Sequence, residues 1–121
     1  MMRETIIICT IDLVFVEIIK RILEDKPKYN KVMVLNAFSE LSKIPLNNSV
    51  KLIIVDDPII GTSSYELTSY LRLHLKIACP IVFCGTSEHD GKRKAIMSGA
   101  NYFVNKPFIP KDLSNTITGL C

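Results

Sequence analysis

VKLIIVDDPIIG, Val50 to Gly61, sets two carboxylates and a proline directly behind a run of aliphatic residues. Val50 to Val55 is too short and too rich in β-branched side chains for a helix, so it reads as a strand buried on both faces. Asp56 and Asp57 close that strand, and Pro58 and Gly61 mark the turn behind it. The rest of the chain has to say what two acids at the end of a buried strand face.

Outward from this stretch, strands and helices alternate. Thr5 to Cys9 (TIIIC), Lys31 to Ala37 (KVMVLNA), Pro80 to Gly85 (PIVFCG) and Asn101 to Asn105 (NYFVN) read as four further strands. Between the first two, LVFVEIIKRILED carries apolar Val14, Ile18, Ile19, Ile22 and Leu23 at helical spacing with Glu17, Lys20, Arg21 and Glu24 opposite, and Pro27 stops it. FSELSKIP predicts a short helix, Ser64 to Lys76 a long one, and Asp90 to Gly99 one that ends on a glycine. The last begins near Pro110, at a first-turn position. Five such alternations without repeat or linker predict an α/β domain: a doubly wound five-stranded parallel sheet with helices on both faces.

The bulk composition agrees. The 121 residues suit one domain spanning 1–121, 48% of them are apolar and 22% charged, and the net charge of +3 is spread along the chain. The densest basic cluster, Gly91 to Ala95 (GKRKA), reads as a solvated helix face, so no direct nucleic-acid contact is expected. No apolar run is long enough to span a membrane and no secretory pattern opens the chain, which predicts a cytoplasmic protein without membrane contact. Cys9, Cys79, Cys84 and Cys121 form no C-x-x-C pair, and His74 and His89 are the only histidines, so zinc and disulfide readings are poor. Buried, reduced thiols are expected at Cys9 and Cys79.

In a parallel sheet ligands gather at the carboxyl ends of the strands. That edge collects Thr10 and Asp12, Asp56 and Asp57, Cys84 and Thr86, and Lys106. Acids, a hydroxyl or thiol, and one lysine suit a phosphoryl group and a divalent cation, and an aspartate can itself attack phosphorus to form an acyl phosphate. A flavin reading fails on the sequence, since CTIDL offers no glycine-rich phosphate loop and the chain has no Trp.

These residues make the chain resemble the receiver domain of two-component response regulators over essentially its whole length. Asp56 matches the phospho-accepting aspartate, with Gly61 five residues on, and Lys106 with Pro107 in NKPF matches the lysine-proline pair fifty positions later. SGANYFVNKPF, Ser98 to Phe108, carries the Gly99-Ala100 turn and puts Phe103 at the aromatic switch position. The resemblance implies a flavodoxin-like fold and a cis Lys106–Pro107 bond. It implies a non-enzymatic phospho-accepting switch in a phosphorelay, partnered by a histidine kinase or phosphotransfer protein and by an output partner or domain. A homodimer through Gly91 to Phe103 is also allowed by it.

Three departures qualify the resemblance. Where receivers end their first strand in two adjacent acids that hold Mg²⁺, this chain has ICTIDL, so Asp12 and Asp56, with Asp57 as a possible further ligand, are the expected metal set, with Mg²⁺ weakly bound or absent. The hydroxyl that contacts the phosphoryl group falls on Cys84 by one count and on Thr86 by another, and a thiol there would be a weak donor. Asp57 and Pro58 stand where an aliphatic residue is usual. The alternative these departures raise is a pseudo-receiver, a protein-binding module that works without phosphorylation.

Overall fold

The computed structural model describes residues 4–26, 31–45 and 49–120. Five strands, β1 (Thr5–Cys9), β2 (Lys31–Leu35), β3 (Val50–Asp56), β4 (Ile81–Gly85) and β5 (Tyr102–Asn105), form one sheet in the order β2-β1-β3-β4-β5. All four pairings are parallel. The helices are α1 (Leu13–Ile22), α2 (Ser64–Leu73), α3 (Gly91–Met97) and α4 (Pro110–Leu120).

The strand period of two divides the core. Ile6, Ile8, Leu52, Ile54, Val82, Cys84 and Val104 lie against Phe15, Val16 and Ile19 of α1 and Leu113 and Ile117 of α4. Ile7, Cys9, Ile53, Val55, Ile81 and Phe83 lie on the other face with Leu67 and Leu71 of α2 and Ala95 of α3. β1 and β4 are buried at every position and β3 at every position but Lys51, as continuous apolar runs between two helical layers must be. β2, at one edge, is mostly open.

Several boundaries differ from expectation. The buried stripe of α1 is Phe15, Val16 and Ile19, continued by Leu23, while Val14 and Ile18 are 67% and 40% exposed. Helical period alone leaves the orientation of an apolar helix open, and here Phe15, which rings up against Phe108 at 5.4 Å, sets it. Phe38–Lys43 is a 3-10 helix whose Leu41 is buried. β2 ends at Leu35, and Ala37 makes an isolated bridge to Ile60. The long helix stops at Leu73, three residues before Lys76 with its φ of +55°. Gly99, at φ +117°, ends the segment after α3 in a conformation glycine tolerates best. Cys9 and Cys84 are buried free thiols and Cys79 is half-buried. Pro27 and Cys121 lie outside the described residues.

Candidate functional site

β1 has β2 on one side and β3 on the other, so the strand order reverses there and the crevice opens at the carboxyl ends of β1 and β3. Thr10 and Asp56 emerge at those ends. Asp56 continues the Leu52, Ile54 face of β3 and is only 3% exposed. Thr10 continues Ile6 and Ile8, and Lys106 continues Val104, so strand period alone carries all three to the α1/α4 side.

There they meet. Lys106 Nζ forms an ion pair with Asp56 Oδ1. Thr10 Oγ1 donates to Asp56 Oδ2 at 2.6 Å and accepts the Asp12 N–H at 3.0 Å. Lys106 Nζ also donates to the Asp57 carbonyl at 2.5 Å. Apart from the lysine, Oδ1 is a buried oxygen that no hydrogen bond of regular geometry reaches among the described groups. The Lys106–Pro107 bond is cis, and so is Asp57–Pro58.

Asp57 faces the opposite way, as the next residue along a strand must. Its Oδ1 accepts the Ser64 hydroxyl at 2.6 Å, beside the first turn of α2. The two adjacent acids therefore serve two faces: Asp56 the lysine pocket, Asp57 the start of α2. The phenol of Tyr65 is raised by burial and then by the charge of Asp57.

Cys84 is the register partner of Asp56 and is fully buried. Burial pushes its thiol up, and the Asp56 carboxylate pushes it further against the pull of Lys106. Thr86 lies past the end of β4, exposed, its hydroxyl accepting the Glu88 N–H at 3.2 Å. Of the two switch candidates, Cys84 is the one set beside Asp56. Phe103 is half-buried on the other face, its ring stacked 6.1 Å from Phe83, which in turn stacks on Tyr65 at 5.0 Å.

The expected metal set does not assemble. Asp12 is the N-cap of α1, its Oδ1 accepting the Val14 N–H at 2.9 Å, a use that an exposed aspartate before a helix serves well. Asp57 is committed to Ser64. Among the described residues no group of three or more His, Cys, Asp or Glu side chains could hold a metal ion. Mg²⁺ is held by one or two carboxylates together with water and phosphate oxygens, and the one carboxylate that faces this pocket is already paired with an ammonium, so the residues present do not fit a Mg²⁺ centre. Thr10 was read among the residues of this edge, but its direct hold on Asp56 was not foreseen, and neither was that of Ser64 on Asp57.

Comparison with known proteins identifies the family and the fold. The family model for the response regulator receiver domain matches residues 6–118. The transcriptional regulatory protein YvrH of Bacillus subtilis is 29% identical over 118 residues, 97% of this chain, and the chain spans about half (48%) of that relative's length. A Chloroflexus aurantiacus protein assigned to the response regulators superposes with a TM-score of 0.79 at 25% identity, covering 97% of this chain and 96% of its own. The chemotaxis response regulator CheY4 of Vibrio cholerae shares the fold with a TM-score of 0.78 at 20% identity, with 98% of both chains covered. Among the described residues no helix is long and apolar enough to cross a membrane.

Proposed function

The chain belongs to the response regulator receiver domain family, the phospho-accepting switches of two-component signalling, and on that footing we propose that Asp56 is its phospho-acceptor. The observation that supports the reading is the joint hold of Lys106 and Thr10 on one buried carboxylate. Asp56 Oδ1, free of regular hydrogen bonds, is the oxygen that attacks phosphorus to give an acyl phosphate. Lys106 then pairs with a phosphoryl oxygen. Residues 1–121 act as one receiver domain and a switch, with no reaction of their own beyond this transfer.

A histidine kinase or phosphotransfer protein of the cytoplasm supplies the phosphoryl group, and an output partner or domain reads the result. The β4 end from Cys84 to Thr86 and the Phe103 ring are the segments that respond. Cys84 is the register partner of Asp56, and β4 is paired in turn with β5, which carries Phe103.

The test is incubation with a small phosphodonor, with and without a divalent cation, read by intact mass. Gain of one phosphoryl group by the wild type and none by Asp56→Asn is expected. A wild type that stays unmodified under every condition overturns the reading in favour of a module that binds partners without phosphorylation.

A further inference from the structure

Resting on the reading of Asp56 as acceptor, we infer that this pocket takes its phosphoryl group without a divalent cation, Lys106 and Thr10 together supplying the positive charge and the fixed donor. Three observations converge. First, the charges at the centre already balance: one carboxylate faces one ammonium, and the third group, Thr10, is neutral. A doubly charged ion entering here meets Lys106 as a repelling neighbour in a site that is 3% exposed at Asp56. Second, the other acids of this edge are spent, Asp12 on the Val14 N–H and Asp57 on the Ser64 hydroxyl.

Third, the Thr10 hydroxyl is oriented in advance. Because its oxygen accepts the Asp12 N–H at 3.0 Å, its proton is directed to Asp56 Oδ2 at 2.6 Å. That bond survives the chemistry, for Oδ2 becomes the carbonyl oxygen of the acyl phosphate and remains an acceptor. With N-protonated phosphoramidate the balance is simple. The Oδ1–P bond forms as the P–N bond breaks, and ammonia leaves with the bonding pair and the protons it already carries. The three phosphoryl oxygens arrive beside Lys106, which exchanges a carboxylate partner for a phosphoryl one. Thr10 is a positioning residue in this step and Lys106 the cationic one.

Two measurements on the full chain separate this inference from the reading beneath it. The first is titration of the unmodified protein with Mn²⁺ and with Mg²⁺, by paramagnetic resonance and calorimetry, and it needs no phosphoryl transfer. Saturable binding is expected to be absent in the wild type at millimolar metal. It is expected to appear in Thr10→Asp, where a second carboxylate raises affinity by about tenfold or more. Wild-type binding that vanishes in Asp56→Asn overturns the inference. Should Thr10→Asp fold poorly, Lys106→Met, which removes the repelling charge, is expected to gain metal affinity in its place.

The second is phosphoramidate uptake followed by intact mass in Mg²⁺ and in EDTA. Equal uptake within about twofold supports the inference, a twofold change being well under the tenfold that 1.4 kcal/mol represents. Asp56-dependent uptake that EDTA abolishes overturns it while leaving Asp56 as acceptor. No uptake in either medium overturns the acceptor reading itself.

Discussion

Thr10 Oγ1 donates to Asp56 Oδ2 across forty-six positions of sequence, and the same hydroxyl receives the Asp12 N–H. One small side chain thus ties the end of β1 to the end of β3 and to the N-cap of α1. Thr10 is 2% exposed, so its bonds cannot be replaced freely by water.

Thr10→Val keeps the shape and removes the hydroxyl. It leaves a carboxylate oxygen and an N–H short of a partner, and a hydrogen bond to a charged group contributes about 1.5–3 kcal/mol. Thr10→Ser keeps both bonds and is expected to lose about 1 kcal/mol, for the missing methyl. Urea midpoints at constant m-value check the order: Val must be the worse of the two, and the reverse order would remove the hydroxyl from the account.

Gly91→Ala and Gly119→Ala are expected to differ in sign. A Cβ at Gly91 would stand 1.9 Å from the Thr86 carbonyl oxygen, whereas one at Gly119 meets nothing within 4 Å. Gly91 has an ordinary helical φ of −53°, so the cost there is steric and not conformational. Overpacking of this kind costs about 1–3 kcal/mol. Gly119→Ala gains up to ~0.5–1 kcal/mol of helix propensity. Thermal melts of the two variants should move in opposite directions.

Arg72 is a staple between α2 and the strand ends. Its guanidinium donates to the carbonyls of Gly99, Ile77 and Cys79 at 2.8–2.9 Å and to Asn101 Oδ1 at 2.6 Å. Arg72→Lys presents a point charge in place of a planar fork and cannot reach all four acceptors. A loss of about 2 kcal/mol is expected for Ala and only partial rescue by Lys, read by chemical unfolding. Full rescue by Lys would show that charge, and not the fork, is what matters.

The sequence made the fold legible because each buried strand is a short β-branched run and each crossover carries a helix, so element order needed no tertiary information. The helix α1 shows the limit. LVFVEIIKRIL is apolar on more than half its circumference, and only contact with Phe108 and the sheet selects Phe15 and Val16 over Val14 and Ile18. Asp56 and Lys106 were legible as residues that follow apolar strands at one edge of the sheet. Thr10 was harder to see, because a threonine carries no charge to announce it, and Asp12 drew attention as the nearest acid while its carboxylate serves the helix start. The choice between Cys84 and Thr86 turns on where β4 ends: β4 runs to Gly85, with Cys84 the register partner of Asp56 and Thr86 beyond the strand.

Stability is expected to fall above about pH 9. Burial, and then the charge of Glu40, pushes the Cys9 thiol from its ordinary value near 9.0 up to about 12. Burial likewise raises Cys84, with Asp56 adding to it. Below the unfolded value both states hold the proton and the contribution is complete. Above it the unfolded chain ionises while the folded chain does not, and stability is lost toward the folded value, at up to ~1.4 kcal/mol per pH unit per thiol. Urea unfolding from pH 8 to 11 should give a steeper decline for the wild type than for Cys84→Ala. Parallel curves would mean that Cys84 ionises equally well in both states.

The ion pair of Asp56 and Lys106 can be weighed by a double-mutant cycle. Lys106→Met leaves a carboxylate 4% exposed at its side chain with only Thr10 to hold it. Breaking a fully buried pair costs about 3–5 kcal/mol, but the Lys106 side chain is 30% exposed, which lowers the expectation to roughly 1–3 kcal/mol. Asp56→Asn keeps a group that still accepts the Thr10 hydroxyl, and Lys106 retains the Asp57 carbonyl, so this single change should cost less. In the double variant no charge is stranded, and the loss should fall short of the sum by about 1–2 kcal/mol. The pair Glu17–Lys20, 3.9 Å apart on the surface of α1 with both side chains more than half exposed, provides the control, where coupling should be near zero. Coupling at Asp56 and Lys106 should also persist in strong salt, since buried charges are poorly screened. Additive losses at 56 and 106 would mean that the lysine rests beside the carboxylate without stabilising it, and the proposed exchange of Lys106 from carboxylate to phosphoryl oxygen would lose its starting point.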